Sequence, residues 1–433
     1  MTSHRPFVAT ITLLFLAPAV GPPAEAQDWA KPSLAHLHRL DLRDLGYPMV
    51  NEIPANSSAI TSLMTSRDGT IYGGTSGEEA YLFLFDPAIN KVRHLGKVPG
   101  QGGIHHALVQ DYHEGSIYFG TGKNMLEPLA LTPGAPGGEH IDQLLWRDIK
   151  NSFRDYPGGH LYRYRPAESN SRVKLPDMPC DAEDLGIPVP GNSIYALAFD
   201  HRKRQIYGLT YPDGRFFVYD IRAAKPVDVG PVDEEVVFHG PERHWRSLPR
   251  ALLVDDSGRV FTSGTGGALI YYSPASGKLV RTGIQVPGDY YHVQFYRDHA
   301  VIECLALSPS GLIYGGTCDG YLFSLDSRGS EPRAMKLVNL GKARASRRLR
   351  CLAIGANGKV YFMAGERSAA RPCQCYCYDP HSGGFEDLGL LIVDRSPYYY
   401  WRGYQFDSMT TGIDGTIYLG ESDRRAHLFL FLP

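Results

Sequence analysis

A short pattern recurs seven times along this chain of 433 residues and constrains its fold more than any other feature. In each copy an apolar run is followed by a turn and then by a segment of the type Ile-Tyr-x-Gly. The aligned aromatic residues are Tyr72, Tyr118, Tyr207, Phe261, Tyr314, Tyr361 and Tyr418. Their successive spacings are 46, 89, 54, 53, 47 and 57 residues, about one propeller blade each, with an insertion inside the longest. Units of four short strands cannot bury both faces alone, so the pattern predicts an all-β, seven-bladed β-propeller.

The two ends of the chain indicate how the ring closes. The seventh unit runs out at residues 428–433, after a third strand and before any fourth. Residues 38–46 resemble a fourth strand, so we expect Leu40–Leu45 to pair with Leu428–Leu432. An N-terminal strand would then close the ring. In the first unit the predicted strands are Ile60–Thr65, Thr70–Gly74, Tyr81–Asp86 and Lys91–Lys97.

The N-terminus is typical of a secretory signal peptide. Arg5 precedes an apolar run over residues 7–20, and Ala24-Glu25-Ala26 has the small-residue pattern of a cleavage site. The run is shorter than the ~20 residues that span a bilayer. We therefore expect residues 1–26 to be removed, leaving 27–433 as a single secreted or periplasmic domain, monomeric and without a membrane span. The formal net charge of −2 gives no reason to expect a nucleic-acid partner.

The seven cysteines leave the metal content open. Their odd number in a secreted chain predicts at least one unpaired thiol. Cys373, Cys375 and Cys377 alternate along one strand, where they form a metal site, a local disulfide or simply buried small residues. The residues His292, His299, Cys304 and Cys318 are close in sequence and include apt zinc ligands. A structural zinc or calcium ion is therefore one alternative, although the chemistry considered below requires no cofactor.

One rim of the predicted propeller is rich in aromatic residues. An insertion at about 123–158 follows the second strand of the second blade, and this topology places it over His105 and His106. Loops between blades bring further aromatic side chains to the same rim. The candidates for substrate binding there are Trp245, Tyr291, Tyr400 and Trp401. The alternative is that these aromatic loops only pack on each other.

A column of polar residues emerges when the seven first strands are aligned on their apolar cores. It contains Thr61, His106, Tyr195, Arg250, Glu303, Arg350 and Asp407. The following residue is always small: Ser62, Ala107, Ala196, Ala251, Cys304, Cys351 and Ser408. A core column would be mostly Val, Ile or Leu, so a polar column predicts a site around the central channel. The alternative is a wet channel lined by structural ion pairs such as Arg250–Glu303.

Three members of this column, on consecutive blades, suggest a reaction. The guanidinium of Arg250 matches a carboxylate, and neutralising a uronate carboxylate acidifies the adjacent ring carbon. A neutral His106 or a deprotonated Tyr195 can then remove that proton, and a tyrosine can protonate the leaving glycosidic oxygen. Together they would perform β-elimination on a uronate glycan. Because neighbours on a strand face opposite ways, we expect His106 to face the channel and His105 to brace the turn.

Hydrolysis is the competing chemistry. It usually needs two carboxylates ~5–9.5 Å apart, and the column offers Glu303 and Asp407 on blades that are not adjacent. Near the same column a basic run between the fifth and sixth blades contains Lys342, Arg344, Arg347, Arg348 and Arg350. This run either attracts an anionic polymer or is a solvated loop.

The segment VPGQGGIHHALVQDYHEGSIYFGTG, at residues 98–122, resembles secreted seven-bladed propeller enzymes that act on rhamnose–glucuronate linkages. These include ulvan lyases, rhamnosyl-glucuronate lyases and a related group of α-L-rhamnosidases. The resemblance implies a lyase with His106 and Tyr195 as the acid–base pair. Where ulvan lyases carry the carboxylate-binding arginine, this chain has Tyr211, and Arg250 lies one blade further on.

We therefore expect a polysaccharide lyase acting on an anionic polysaccharide or oligosaccharide. The expected catalytic residues are His105, His106, Tyr195 and Arg250, with Tyr211, Glu303, Arg350 and Asp407 binding substrate. Two alternatives remain at this point. One is a propeller rhamnosidase that works through histidine on the same linkage, and the other is a non-catalytic propeller that binds glycan or protein.

Overall fold

The computed structural model describes thirteen segments of the chain. They are residues 39–44, 59–77, 79–99, 102–123, 151–167, 178–233, 249–289, 301–329, 331–343, 348–365, 373–395, 399–422 and 426–433. The predicted signal peptide, the body of the insertion and the loops that carry Trp245 and Tyr291 lie outside these segments.

The first three blades follow the strand β1 (Arg39–Asp44) in the chain. Blade 1 comprises β2 (Ala59–Thr65), β3 (Ile71–Ser76), β4 (Ala80–Asp86) and β5 (Lys91–Val98). Blade 2 comprises β6 (Leu108–Gln110), β7 (Ile117–Gly120), β8 (Leu161–Tyr164) and β9 (Ala182–Asp184). Blade 3 comprises β10 (Ser193–Asp200), β11 (Gln205–Tyr211), β12 (Arg215–Asp220) and β13 (Lys225–Pro231).

The next three blades have the same order of strands. Blade 4 comprises β14 (Leu253–Val254), β15 (Val260–Ser263), β16 (Ala268–Ser273) and β17 (Lys278–Gln285). Blade 5 comprises β18 (Ile302–Leu307), β19 (Leu312–Thr317), β20 (Leu322–Asp326) and β21 (Lys336–Gly341). Blade 6 comprises β22 (Leu349–Ile354), β23 (Val360–Ala364), β24 (Gln374–Asp379) and β25 (Gly384–Gly389).

The last blade contains strands from both ends of the chain. It follows a separate hairpin formed by β26 (Ile392–Arg395) and β27 (Tyr399–Arg402). Its own strands are β28 (Phe406–Thr411), β29 (Ile417–Glu421) and β30 (His427–Leu432), with β1 as the fourth. Strand β1 pairs antiparallel with β30, from Arg39 opposite Leu432 to Asp44 opposite His427. The seven-bladed arrangement predicted from the repeats is confirmed.

The strands of the first blade differ from prediction mainly at β3. We expected Thr70–Gly74, but β3 runs from Ile71 to Ser76. Two contacts to the Gly-rich turn extend it: the Thr75 carbonyl accepts a hydrogen bond from the Ile104 N–H at 3.0 Å, and Ser76 bridges Gly103. Blade 1 is therefore tied directly to the segment that leads into His105.

The core is divided into clusters that span neighbouring blades, and the repeated aromatic residue is buried in every blade. Tyr207 of blade 3, for example, shares a cluster with Val260 and Ile270 of blade 4. Burying such a side chain contributes about 1.5–3 kcal/mol. The repeat is therefore a packing requirement, because each blade needs an aromatic residue at the interface with its neighbour.

The small residues that follow the polar column also have a role where blades meet. The Ser408 hydroxyl donates to the Ile60 carbonyl at 2.9 Å. The Cys351 and Cys304 thiols make the corresponding contacts with the carbonyls of Phe406, at 3.5 Å, and Leu349, at 3.6 Å. Each of these three side chains thus bonds the inner strand of an adjacent blade.

None of the seven cysteines forms a disulfide in this structure. Cys351, Cys373, Cys375 and Cys377 lie in one hydrophobic cluster, which agrees with the interpretation of buried small residues and rules out the local disulfide in this structure. Among the residues that the structure describes, no group of three or more His, Cys, Asp or Glu is placed to hold a metal ion. His292 and His299 lie outside those residues. Within the same part of the chain, no helix is long and apolar enough to cross a membrane.

Candidate functional site

The polar column coincides with an irregularity in the first strand of each blade. In five blades the pairing between first and second strands skips one residue, and the skipped residues are Thr61, Tyr195, Glu303, Arg350 and Asp407. In blades 2 and 4, His106 and Arg250 lie just before the short strands β6 and β14. A bulge takes a residue out of the ladder and re-aims its side chain. Here the five bulges turn residues of distant blades toward one channel, which His106 and Arg250 enter from the segments before β6 and β14.

Two adjoining cavities occupy this channel. The first, which we call the mouth cavity, has a volume of about 200 Å³. It is lined by Ala59, Thr61, Ser76, Gly77, His105, His106, Tyr195, Glu303, Arg348, Arg350, Gln405, Asp407 and Ser422. The second, the channel cavity, measures about 150 Å³ and contains Arg250. Four side chains line both: His106, Glu303, Arg350 and Asp407.

The channel cavity is also lined by a collar of apolar side chains, one from each blade. They are Leu63, Leu108, Leu197, Leu252, Leu305, Leu352 and Met409. Each stands two positions after the polar residue of its blade. The alignment that predicts the polar column also contains this apolar column, which is therefore a signal that our sequence analysis overlooked.

Two groups of buried ion pairs lie among the side chains that line the two cavities. Arg250 donates from Nη1 to Oε1 of Glu303 at 2.5 Å, while Arg348 approaches the same carboxylate at 3.2 and 3.3 Å. Arg350 donates from Nε to Asp407 at 2.6 Å. Burial alone would raise the pKa of both carboxyls, but Arg250 at Glu303 and Arg350 at Asp407 hold each pKa below its usual range. Both carboxylates are therefore charged at neutral pH.

Further polar groups complete the environment of Asp407. The Gln405 amide donates to Oδ2 at 3.0 Å, and the Ser422 hydroxyl donates to the same oxygen at 2.6 Å. Sequence reasoning did not identify either residue, because neither belongs to the polar column. A carboxylate held in this way is a fixed structural charge and a poor general acid.

The two histidines differ in their surroundings. His105 is buried, and its Nε2 lies 3.2 Å from the Lys123 carbonyl, at the root of the insertion. A carbonyl only accepts hydrogen bonds, so the neutral ring carries its proton on Nε2. Burial lowers the pKa of His105 to about 4. Gly103 leaves room for this ring, since an added Cβ would stand 3.0 Å from its Cε1.

His106 lines both cavities and is only partly buried. Burial lowers the pKa of His106 below its ordinary value, partly opposed by the Asp407 and Glu303 carboxylates. At neutral pH its imidazole is therefore uncharged and able to accept a proton. His105 also lines the mouth cavity, so both imidazoles reach it, and only His106 extends to the channel cavity.

Tyr195 stands beside both imidazoles. Its ring centroid lies 5.4 Å from that of His106 and 5.7 Å from that of His105. Burial raises the pKa of Tyr195 well above its ordinary value, so the phenol keeps its proton throughout the neutral range. Tyr195 is therefore present in the form that can donate a proton. The deprotonated tyrosine that sequence reasoning kept open as a base is disfavoured here.

The other residues predicted for substrate binding are not brought to the cavities. Tyr211 is buried and packs edge-on against Phe153 with the ring centroids 5.6 Å apart. Tyr400 is exposed on β27, while the Trp401 indole donates to the buried Glu421 carboxylate at 3.0 Å. None of the three lines either cavity. Trp245 and Tyr291 lie outside the described residues.

The roots of the insertion lie against the site. Lys123 contacts His105 through its carbonyl, and its ammonium group stands 5.5 Å from the Phe153 ring and 5.1 Å from the Tyr156 ring. Phe153 and Tyr156 belong to the same hydrophobic cluster as Tyr195. The described ends of the insertion therefore lie beside the mouth cavity, while residues 124–150 lie outside the described segments.

No family model and no curated protein matches the chain. Solved structures do resemble it. A streptogramin B lyase structure shares 11% sequence identity with a TM-score of 0.58, over 90% of this chain and 97% of that one. A fungal alcohol oxidase of the AA5 family, in complex with copper, shares 13% identity with a TM-score of 0.57, over 92% of this chain and 76% of that one.

A third similar structure is the extracellular domain of a putative hybrid two-component system from B. thetaiotaomicron. It shares 14% identity with a TM-score of 0.53, over 90% of this chain and 39% of that one. At these identities the likeness shows the β-propeller fold alone. The three proteins differ in function, so the reaction has to be argued from the site.

Proposed function

We propose that this protein is a secreted lyase that cleaves uronate-containing glycans, with rhamnose–glucuronate linkages as the substrate class, by β-elimination. The observation that carries the proposal is the pairing of an uncharged His106 with a protonated Tyr195, 5.4 Å apart between ring centroids, in one cavity. One group is ready to accept a proton and the other to donate one.

In this mechanism His106 takes the proton from the ring carbon next to the uronate carboxylate. The electron pair left behind forms a carbon–carbon double bond as the bond to the glycosidic oxygen breaks. Tyr195 donates its proton to that oxygen, which leaves as a hydroxyl group. His106 then releases its proton to solvent and Tyr195 takes one up from solvent, which restores both groups. General acid–base catalysis of this kind contributes about 10²–10⁴-fold each.

The charge of the cavities supports an anionic substrate. Three guanidinium groups, of Arg250, Arg348 and Arg350, face two carboxylates, of Glu303 and Asp407. Among the described residues that line the cavities, and with both histidines neutral, one positive charge is left over. In a site of low dielectric such an excess attracts a carboxylate strongly. Arg250 lines only the channel cavity, so in this proposal it contributes potential rather than direct contact.

The same carboxylates argue against hydrolysis by a carboxylate pair. A general acid must be protonated, whereas ion pairing holds the pKa of Glu303 and of Asp407 below the usual range. A rhamnosidase acting through histidine is the second candidate, favoured only by the His-His turn.

The decisive experiment is incubation with a panel of uronate polysaccharides, following ultraviolet absorbance and reducing ends in parallel. The proposed lyase creates an unsaturated uronate at each new chain end, so both signals rise together. Reducing ends without absorbance would assign the rhamnosidase reaction. Binding of a glycan with neither signal would assign the non-catalytic function.

A further inference from the structure

We propose that Arg348 is the residue that binds the uronate carboxylate and so determines specificity for an acidic sugar. This inference rests on the proposed function and corrects its sequence-based version, in which Arg250 had that role. In the sequence, Arg348 is one member of the basic run between the fifth and sixth blades. The structure instead places it at the mouth cavity.

The three arginines differ in the cavity that they line and in the exposure of their side chains. Arg348 lines the mouth cavity together with His106 and Tyr195, whereas Arg250 lines only the channel cavity. The side chain of Arg348 is 18% exposed, against 9% for Arg250 and 3% for Arg350. A substrate that reaches the acid–base pair therefore meets Arg348 as the most accessible of the three.

The ion pairs show which arginine can turn to a ligand at least cost. Glu303 is held by Arg250 at 2.5 Å and by Arg348 at the longer distances of 3.2 and 3.3 Å. If Arg348 moves to a substrate carboxylate, Glu303 keeps its shorter partner. Leaving a buried charge unpaired is strongly unfavourable, and this exchange avoids it.

Arg350 is in the opposite situation. Its guanidinium is bound to Asp407 at 2.6 Å, and Arg350 lowers the pKa of that carboxyl more than Arg348 does. Turning Arg350 toward a ligand would leave Asp407 with the nearby charge of Arg348 and with hydrogen bonds from the Gln405 amide and the Ser422 hydroxyl. Neutral donors compensate a buried carboxylate less well than a guanidinium does. Arg350 is therefore a fixed part of the wall.

The backbone at Arg348 provides an independent observation. Its φ is +62°, in the left-handed region that L-residues other than Asn and Asp seldom adopt. Among the residues that the structure describes, the other non-glycine residues with positive φ are Asn90, Arg204 and Ala224, and each closes a hairpin turn between two strands. Arg348 stands directly before the inner strand β22 and lines the mouth cavity. Strained backbone of this kind clusters at active sites and ligand-binding positions.

The test compares substrates with a free and a methyl-esterified carboxylate. For the native protein we expect the ester to lower kcat/KM by roughly 10- to 100-fold, the range of a charge-assisted hydrogen bond. In R348A this discrimination should disappear, and in R348K it should be weaker, since an ammonium lacks the bidentate fork. R250K should still discriminate. R328A, an exposed arginine paired with Asp326, is the control.

A binding measurement tests the role of Arg348 independently of catalysis. Calorimetry with D-glucuronate and its methyl ester should show preference for the acid in the native protein and none in R348A. If no polysaccharide yields unsaturated product but this preference is found, the lyase proposal fails and the carboxylate site stands. If R348A or R348K, folded by circular dichroism, keeps full discrimination, or the native protein shows no preference, the inference is overturned.

Discussion

The Nη1 atom of Arg250 lies 2.5 Å from Oε1 of Glu303, in an ion pair that joins blade 4 to blade 5 beneath the mouth cavity. Both side chains are less than 10% exposed. Arg348 of blade 6 approaches the same carboxylate. One buried glutamate therefore connects three blades and holds two cations close to the channel.

We expect Glu303 to be more important for stability than Arg250. Glu303→Leu removes the carboxylate from two buried guanidinium groups and should lower the free energy of unfolding by about 3–5 kcal/mol. Arg250→Met leaves Glu303 paired with Arg348 and should lower the free energy of unfolding by clearly less. Urea unfolding of the two variants and the native protein measures the difference. An equal or reversed order would show that Arg348 does not share the charge.

The acid–base pair predicts a large kinetic effect without loss of the fold. His106→Ala and Tyr195→Phe should each lower kcat about 10²–10⁴-fold, because each removes one proton transfer. Two matched controls lie in the same blades: His113→Ala, and Tyr207→Phe, whose hydroxyl bonds Gln205 rather than a cavity. Near-normal turnover of folded His106→Ala would show that the site is wrongly assigned.

The pKa directions predict the pH dependence of kcat/KM. The base must be deprotonated, and burial lowers the pKa of His106 below 6.5, so the acidic limb should have its midpoint below pH 6.5. The acid must be protonated, and the pKa of Tyr195 is raised above 10, so activity should persist to alkaline pH. A plateau across pH 7–9 is expected. An acidic limb centred above pH 7 would contradict the assignment of His106.

His105 predicts a loss of stability in acid. Its pKa is about 4 in the folded state and near 6.5 when unfolded, so below pH 6.5 the unfolded chain binds the extra proton. The contribution of neutral His105 to the free energy of unfolding is complete above pH 6.5. It is lost as the pH falls toward 4, by about 2 kcal/mol at pH 5. His105→Gln should remove this increment from the difference in unfolding free energy between pH 7 and pH 5. An unchanged difference would mean that His105 is not buried as a neutral ring.

The repeated second-strand aromatic made the architecture predictable from the sequence. Tyr72, Tyr207 and Tyr418 recur because every blade needs a bulky side chain against its neighbour, and that demand is local and periodic. The polar column was visible for the same reason, since its members hold one register position in each blade. Even the apolar collar, from Leu63 to Met409, could have been found in this way.

What the sequence could not show is which polar residues share a cavity. Ring closure brings residues from distant blades around one axis, and bulges at Tyr195 and Glu303 then aim them inward. Which arginine can bind a substrate carboxylate, Arg250 or Arg348, depends on which of them lies closer to Glu303. Trp401 likewise donates its indole N–H to the buried Glu421, a pairing that its sequence position does not predict. Pairing between buried charges depends on distances set by the whole ring, so only the tertiary structure decides it.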